Sequence, residues 1–392
     1  MGEVKNMLKK VFVTFLLTIF AVGAIAAVIP SGAENAMAEV DFSGANSVYV
    51  TEYQTGKVVY AKNENDRKPI ASMVKIMTSL LTLEALDDGK VSQGDSVEIS
   101  EHAASMGGSQ VFLDAGDSIK LEELLKSVVV ASANDSAVAL AEHIGGSEDG
   151  FVSMMNKRAA ELGMKDTNFV NATGLPKIGG YSTAKDVNVM TKELVKYPLY
   201  KKFCSIWLED FKHPDGRTTV MTNTNKLVRY YKGCDLGKTG FTSEAMYCLS
   251  ASAKRQGVRI VATVMGAKTS KERNALVSRL FDFGFSKFEC KVVLRAEDSV
   301  RDVKVSRGKQ KTVGVTLSED LRVIAERGDD TQYRIEYVLP NKVKAPLKAG
   351  DVAGKIVVYD GDRQVAEQTL HFASSVEKSN LWDEIGKIFK EW

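Results

Sequence analysis

The spacing of hydrophobic residues changes several times along the chain, and each spacing predicts a different element. Two β-rich runs, 47–53 and 57–61, surround Gln54-Thr55-Gly56, a pattern that predicts a β-hairpin. After Pro69, apolar residues cover most of the circumference of a helix. A helix that is apolar nearly all round is buried in the body of a domain.

Two later segments combine apolar runs with short polar interruptions. Residues 121–146 predict two apolar helices that are interrupted at Ser132-Ala133-Asn134 and closed by Gly145-Gly146. The polar side chains at this interruption are expected to face inward or to line a cleft. Residues 233–253 predict a strand that carries Lys238-Thr239-Gly240, then a turn and a second strand.

From about residue 286 the pattern becomes one of short alternating runs with Gly and Asp turns between them. This spacing predicts a separate all-β domain, a small sandwich over residues 286–373. Nothing in this domain has the pattern of a catalytic site, so we expect a spacer or a surface for a partner.

The two ends of the chain carry membrane-related patterns. Lysines precede an uninterrupted apolar or small-residue run from Val11 to Ile29, and Ala36-Met37-Ala38 follows, which predicts a signal peptide over 1–38. The alternative is a retained membrane anchor. Residues 374–392 predict an amphipathic helix that lies on a membrane surface, with a helix docked on the β domain as the alternative. Its apolar stripe consists of Leu381, Trp382, Ile385, Ile388, Phe389 and Trp392.

Composition narrows the class of protein. The chain has 392 residues, enough for two or more domains, and its formal net charge of +2 gives no general attraction to nucleic acid. Its four cysteines and four histidines are scattered, so no metal site is predicted. Four buried thiols are expected, with a Cys234–Cys248 disulfide as the alternative.

Candidate chemistry begins at Ser72 and Lys75, which stand three residues apart at the start of the apolar helix. This spacing puts a hydroxyl and an amine within reach of each other, and burial favours the neutral amine that a general base requires. The alternatives are a helix N-cap for Ser72 and a lysine whose amine reaches solvent. The same S-x-x-K spacing also occurs at 182–185, 306–309 and 375–378.

The other two motifs are ambiguous when each is considered alone. Ser132 or Asn134 could cap the second helix, and Lys238-Thr239-Gly240 could be an ordinary strand that leads into a hairpin. A lysine and a hydroxyl beside a glycine would also suit a bound carboxylate at a sheet edge. The phosphate-binding loop motif is incomplete here.

The three motifs in this order match the S-x-x-K, S-x-N and K-T-G triplet of the penicillin-recognising serine enzymes. With the stretches 107–117, 171–176, 181–187 and 222–228, the chain resembles the serine-type D-alanyl-D-alanine carboxypeptidases, the low-molecular-mass penicillin-binding proteins. The resemblance implies an α+β catalytic domain over 39–285, with the transpeptidase fold shared by penicillin-binding proteins and β-lactamases: an antiparallel sheet packed with a helical subdomain. The small β sandwich and the C-terminal helix follow it.

The resemblance also implies a role for each motif residue. Ser72 would be the nucleophile and Lys75 the general base, while Ser132 would relay a proton and Asn134 would orient the substrate or Lys75. Lys238, Thr239 and Gly240 would bind the substrate, with Lys238 and Thr239 holding its carboxylate, and the backbone N–H groups of Ser72 and Phe241 would stabilise the oxyanion. No metal or organic cofactor is implied. Ala133, where many members have glycine, and Phe241, at a variable position, put the fit of the substrate in question.

The implied substrates are peptidoglycan stem peptides that end in D-Ala-D-Ala, with β-lactams as covalent inhibitors. The enzyme would be exported and held peripherally on the outer face of the bacterial cytoplasmic membrane by its C-terminal helix. A β-lactamase is the first alternative, but no E-x-x-L-N stretch lies between Ser132 and Lys238, where Glu161 and Glu193 are the nearest acidic candidates. A catalytically silent peptidoglycan-binding protein is the second.

Overall fold

The computed structural model describes residues 42–298, 301–380 and 383. The predicted signal peptide and the six residues of the C-terminal apolar stripe lie outside the described residues. The α-helices of the described part are α1 (Lys75–Asp87), α2 (Glu101–Ala104), α3 (Leu121–Val130), α4 (Asn134–Gly145), α5 (Glu148–Glu161), α6 (Ala184–Leu194), α7 (Pro198–Cys204), α8 (Leu227–Tyr230) and α9 (Ser270–Lys287).

The strands fall into two regions of the chain. Those before α9 are β1 (Ser47–Glu52), β2 (Val58–Lys62), β3 (Ser96–Glu98), β4 (Ser118–Lys120), β5 (Leu208–Lys212), β6 (Thr218–Thr222), β7 (Cys234–Thr242), β8 (Met246–Arg255) and β9 (Val258–Ala267). Those after α9 are β10 (Phe288–Leu294), β11 (Arg301–Ser306), β12 (Thr312–Thr316), β13 (Leu321–Glu326), β14 (Arg334–Val338), β15 (Lys342–Lys344), β16 (Val352–Asp360) and β17 (Arg363–Phe372).

A five-stranded antiparallel sheet in the order β2-β1-β9-β8-β7 forms the base of the first region. The predicted hairpin is its β1–β2 pair, with Val48 opposite Lys62. All ten residues of β9 are buried, and α6 and α9 both pack against this strand. Because successive strand residues point to opposite faces, the sheet is covered on both sides there. β7 lies at one edge of the sheet.

A helical layer surrounds α1, which α3, α4 and α6 contact. Ten of the thirteen residues of α1 are buried, as its apolar circumference predicts. The two helices predicted over 121–146 are α3 and α4, and the second ends at Gly146 with a left-handed φ of 73°. Ser147 and Thr183 begin the next two long helices by accepting hydrogen bonds from backbone N–H groups of the first turn.

The second region is all-β, as predicted. A six-stranded sheet, β14-β16-β17-β12-β11-β15, packs with the two-stranded sheet β10–β13 around one apolar core. Val376 extends this core beyond β17, since it is buried and its backbone pairs with that of Leu347. The predicted fold class, an α+β catalytic region followed by an all-β domain, is therefore confirmed.

The cysteines correct one expectation. Cys204, Cys234 and Cys248 are buried, but Cys290 on β10 is only half-buried, because a two-stranded sheet leaves part of its surface uncovered. All four are free thiols. A Cys234–Cys248 disulfide does not form: Cys248 lies opposite Gly240 in the β7–β8 ladder, whereas Cys234 lies opposite Ala253. Within the described ranges, no helix is both long and apolar enough to cross a bilayer.

Candidate active site

Ser72 lies in a short 3-10 turn, Ala71–Val74, that leads directly into α1. The regular helix therefore begins only at Lys75, whereas the sequence predicts that Ser72 also lies at the start of this helix. The reason is local: Ala71 has a left-handed φ of 47°, which an α-helix does not accommodate. Neither this turn nor α1 has a side-chain cap at its start, so Ser72 is not an N-cap.

Lys75 is fully buried, and its amine contacts three oxygen atoms. Nζ lies 3.1 Å from Ser72 Oγ, 2.5 Å from Asn134 Oδ1 and 2.7 Å from the carbonyl oxygen of Thr173. The alternative of a lysine that reaches solvent is therefore wrong. Burial, with a smaller contribution from the charge of Lys238, holds the pKa of Lys75 well below its ordinary value.

Ser132 lies in the tight connection between α3 and α4 and has a left-handed φ of 64°. It is buried, and its Oγ accepts a hydrogen bond of 2.7 Å from Lys238 Nζ. The N-cap position of α4 is Ala133, without a side-chain hydrogen bond, so neither Ser132 nor Asn134 is there to cap the helix. The polar interruption faces inward instead.

Lys238 and Thr239 lie on the edge strand β7, and both are buried. Burial, the largest cause, lowers the pKa of Lys238 to about 7, with a smaller upward contribution from Cys204 and a smaller downward one from the nearby Arg273 guanidinium. Arg273 is itself buried and donates to the backbone oxygen of Cys248, at 3.3 Å. Thr239 Oγ1 donates to Thr224 Oγ1 at 2.9 Å. Two buried cations therefore stand on one side of the site without a carboxylate partner among the described residues.

Gly240 brings β7 against the turn that carries Ser72. A Cβ atom at this position would lie 2.7 Å from the carbonyl oxygen of Ile70, closer than packed atoms approach. Only glycine therefore lets the strand pass this close. The next residue, Phe241, is 55% exposed, and its ring lies 4.3 Å from that of Tyr247 between centroids.

The structure thus brings all three sequence motifs to one place. Two hydrogen-bonded pairs, Ser72–Lys75 and Ser132–Lys238, are joined through Ser132 and Asn134, which stand two residues apart in the chain. The close approach of Gly240 to the turn that carries Ser72 also joins them. The three other S-x-x-K pairs have no such contact. Ser306 donates to the backbone of Val343, and Ser375 accepts from that of Ala349.

Several residues of the site were not singled out from the sequence. The carbonyl of Thr173, the hydroxyl of Thr224 and the carbonyl of Gly107, which accepts from Asn134 Nδ2 at 2.6 Å, all contact motif residues. The stretches that carry the family resemblance contain all three of them, which is the signal that could have found them. The carboxylate of Asp135, buried beside Asn134, accepts backbone hydrogen bonds from the stretch 111–113.

In the described part of the chain, no group of three or more His, Cys, Asp or Glu side chains is arranged to hold a metal ion. The groups that converge on Ser72 are amines, amides and hydroxyls. Such a set suits nucleophilic acyl transfer: an amine lies beside a hydroxyl that could act as nucleophile, and buried cations could bind the carboxylate of a substrate.

Comparisons with known proteins agree with this geometry. Residues 34–269 match the family model described as D-alanyl-D-alanine carboxypeptidase, and residues 288–378 match that of the C-terminal domain of penicillin-binding protein 5. The chain is 42% identical over 349 residues to D-alanyl-D-alanine carboxypeptidase DacF of Bacillus subtilis, covering 89% of this chain and 90% of the relative.

Solved structures give the same result. A crystal structure of penicillin binding protein 5 from Haemophilus influenzae is 31% identical with a TM-score of 0.63, covering 86% of this chain and 98% of that one. The peptidoglycan synthesis regulatory factor (PBP3) from Streptococcus pneumoniae is 27% identical with a TM-score of 0.70, covering 85% and 99%. The family model spans more than half of the chain, and the 42% identical relative is covered almost throughout. This chain therefore belongs to the D-alanyl-D-alanine carboxypeptidase family, whose members use an acyl-enzyme serine mechanism.

Proposed function

We propose that this D-alanyl-D-alanine carboxypeptidase uses Ser72 as its nucleophile and Lys75 as the general base. The contacts of Lys75 Nζ carry the proposal. Two of its three partners, Asn134 Oδ1 and the Thr173 carbonyl, can only accept hydrogen bonds. A neutral amine has two N–H groups and one lone pair, so the lone pair is left to face the Ser72 hydroxyl.

The proposed reaction follows from this arrangement. Ser72 Oγ attacks the carbonyl carbon between the two terminal D-alanines while its proton passes to Lys75. The C–N bond then breaks, and D-alanine leaves after its nitrogen gains a proton. Water hydrolyses the acyl ester, which releases the shortened peptide and restores Ser72. Only side chains, backbone groups and water take part.

Ser132 is suited to deliver the proton to the departing nitrogen. Its oxygen accepts from Lys238 Nζ, which leaves its own O–H free to donate. Lys238 and Thr239 would hold the terminal carboxylate of the substrate, and the buried charge of Arg273 would add to the attraction. The backbone N–H groups of Ser72 and Phe241 would stabilise the oxyanion.

The substrates proposed are peptidoglycan stem pentapeptides, and β-lactams would acylate the same serine. The test is the mass of the intact chain after brief exposure to benzylpenicillin, together with release of D-alanine from a peptide that ends in D-Ala-D-Ala. We expect a persistent adduct on Ser72, absent from Ser72→Ala. Ser375→Ala, from an S-x-x-K pair outside the site, is the matched control and should keep the adduct.

The alternatives give different results in the same experiment. Rapid loss of the adduct with turnover of benzylpenicillin would identify a β-lactamase. A correctly folded chain that neither gains an adduct nor releases D-alanine would be a silent binding protein, and the proposed role of Ser72 would be wrong.

We propose further that the enzyme is exported and held at the outer face of the cytoplasmic membrane. The support is in the sequence: an apolar run after lysines, a small-x-small site that ends at Ala38, and a C-terminal stripe with two tryptophans. Peptidoglycan as the substrate requires the catalytic region to act outside the cytoplasm.

A further inference from the structure

A cavity of about 490 Å³ opens beside the serine turn, and the proposed reaction gives it no role. Ala71 and Val74, the neighbours of Ser72 in the 3-10 turn, form one wall. The loop 174–181 forms the second wall, and Thr242 and Glu244, at the end of β7 and in the turn after it, form the third. The cavity is therefore lined by the turn that carries Ser72 and by the end of the edge strand, although Ser72 itself does not line it.

The direction of a bound peptide determines which part of it meets this cavity, if the proposed function holds. β7 is an edge strand and can accept an added strand. With the peptide carboxylate at Lys238 and Thr239 and the scissile carbonyl at Phe241, an antiparallel peptide continues toward Thr242. The residues before the two D-alanines then lie along the cavity, and the third residue of a stem pentapeptide enters first.

Opposite charges stand on two walls of this cavity. Glu244 lies on the β7 side and Lys177 on the loop, and both are exposed. Neither side chain has an ion-pair partner or a hydrogen bond among the residues that the structure describes. A carboxylate on one wall and an ammonium on the other complement a ligand that carries both charges.

The loop is anchored at its ends and exposed at its tip. Asn168 Nδ2 donates to the carbonyl of Gly179 at 2.8 Å, and Asn171 Nδ2 donates to that of Leu175 at 2.9 Å. Between these anchors, Ile178 is fully exposed next to Lys177. Ile178 also lines the cavity, so its side chain is placed to contact the aliphatic part of a ligand bound there.

We propose that this cavity selects the third residue of the stem peptide, and that it favours a side chain that ends in both an ammonium and a carboxylate group. Glu244 would bind the ammonium and Lys177 the carboxylate, while Ile178 would cover the methylene groups between the peptide backbone and these charges. The inference rests on the proposed function, because Ser72 chemistry fixes the position of the peptide.

Four peptides of the form acetyl-X-D-Ala-D-Ala test this proposal with the full chain. X is 2,6-diaminopimelic acid with both charges, L-lysine with the ammonium only, 2-aminopimelic acid with the carboxylate only, or norleucine with neither. We expect kcat/KM to be highest for the first peptide and lowest for norleucine, with about a fivefold gain for each exposed charge pair. High salt should reduce these ratios.

Variants test the two charged residues separately. Because each variant is compared by the ratio of kcat/KM between two peptides, any loss of activity that affects all four peptides equally cancels. Glu244→Gln should remove the preference for lysine over norleucine, and Lys177→Gln the preference for 2-aminopimelic acid over norleucine. Glu98→Gln and Lys157→Gln, at exposed positions that do not line the cavity, are the matched controls and should keep both ratios.

Two results would overturn the inference while the proposed function stands: similar kcat/KM for all four peptides with a normal benzylpenicillin adduct on Ser72, or ratios that Glu244→Gln and Lys177→Gln leave unchanged. Absence of both the adduct and D-alanine release with every peptide would overturn the proposed function, and this inference with it.

Discussion

The site contains two buried lysines, and their different neighbours suit them to different proposed roles. Two of the oxygen atoms around Lys75, Asn134 Oδ1 and the Thr173 carbonyl, accept its N–H groups, so the lone pair of the neutral amine is left to face Ser72. Lys238 donates to Ser132, and its pKa is lowered from the ordinary value for lysine to about 7. Its amine is therefore still charged in weakly acidic solution. Under the proposed function, the same residue type would therefore supply a base on the helix and a cation on the strand.

This difference predicts a pH profile. Lys238 loses its charge as pH rises through about 7, so carboxylate binding and kcat/KM for a D-Ala-D-Ala peptide should fall above that pH. The pKa of Lys75 is lowered well below its ordinary value, and protonation of this amine as pH falls through that pKa would remove the proposed base, which gives the profile its rising limb. In Lys238→Arg the guanidinium stays charged, so the falling limb should disappear up to pH 9 in the kcat/KM profile.

Lys157→Arg, at an exposed position, is the control for that measurement and should retain the falling limb. If Lys238→Arg is active and its profile still falls near pH 7, Lys238 is not the group that titrates.

At this scale the sequence could identify side chains but not backbone partners. The motif spacing predicts that Ser72 and Lys75 meet, since one helical turn brings them together. The Thr173 carbonyl contacts Lys75 through an atom that every residue type has, so no pattern of side chains marks it. Ser132 likewise has a left-handed φ that its residue type does not favour and that only its contacts impose.

At the scale of elements, two glycines allow a loop and a strand to approach the turn that carries Ser72 closely from two sides. A Cβ on Gly174 would lie 2.0 Å from the carbonyl oxygen of Ala71, and one on Gly240 would lie 2.7 Å from that of Ile70. The turn is thus held from both sides by backbone contacts. These contacts join segments far apart in the chain, so helix propensity and periodicity along the chain do not reveal them.

Gly174→Ala should therefore damage the active site more than the fold. The new methyl group must displace the backbone at Ala71, next to the proposed nucleophile Ser72, so we expect the rate of benzylpenicillin acylation to fall at least about tenfold. Gly163→Ala is the matched control, since Gly163 also has a left-handed φ but has nothing within 4 Å of the added atom.

Both substitutions should lower the free energy of unfolding by about 1 kcal/mol or more, because both place alanine in a left-handed conformation. Urea unfolding followed by circular dichroism measures this change in the free energy of unfolding. Equal acylation rates for the two variants would mean that the close approach at Ala71 does not position Ser72.

At the scale of the whole molecule, the described chain continues past β17 into contacts with the β domain. Val376 is buried, and the backbone N–H of Ser379 donates to the carbonyl of Arg307 at 2.9 Å. A deletion that tests the predicted membrane segment should therefore spare these residues and begin at 381.

Removal of residues 381–392 should release the enzyme from membranes and leave acylation by benzylpenicillin intact. The physical reason is the loss of the apolar stripe with its two tryptophans, while the described core keeps all its contacts. Sedimentation of membranes after cell lysis measures the distribution. A full-length chain with Lys387→Gln is the control for lost charge and should remain with the membranes. Continued sedimentation of the truncated chain would assign the attachment to another segment, such as an uncleaved N-terminus.

The open edge of β7 has a consequence beyond substrate binding. A strand with unpaired backbone groups along one side is a template on which strands of other copies can assemble, and proteins normally cover or charge such edges. The turn that carries Ser72 packs on the face of β7 at Gly240, where an added Cβ would meet Ile70, and this contact leaves the edge itself open. If substrate binds along this edge, as proposed, a bound peptide would compete with strands of other copies and so limit self-association of the protein.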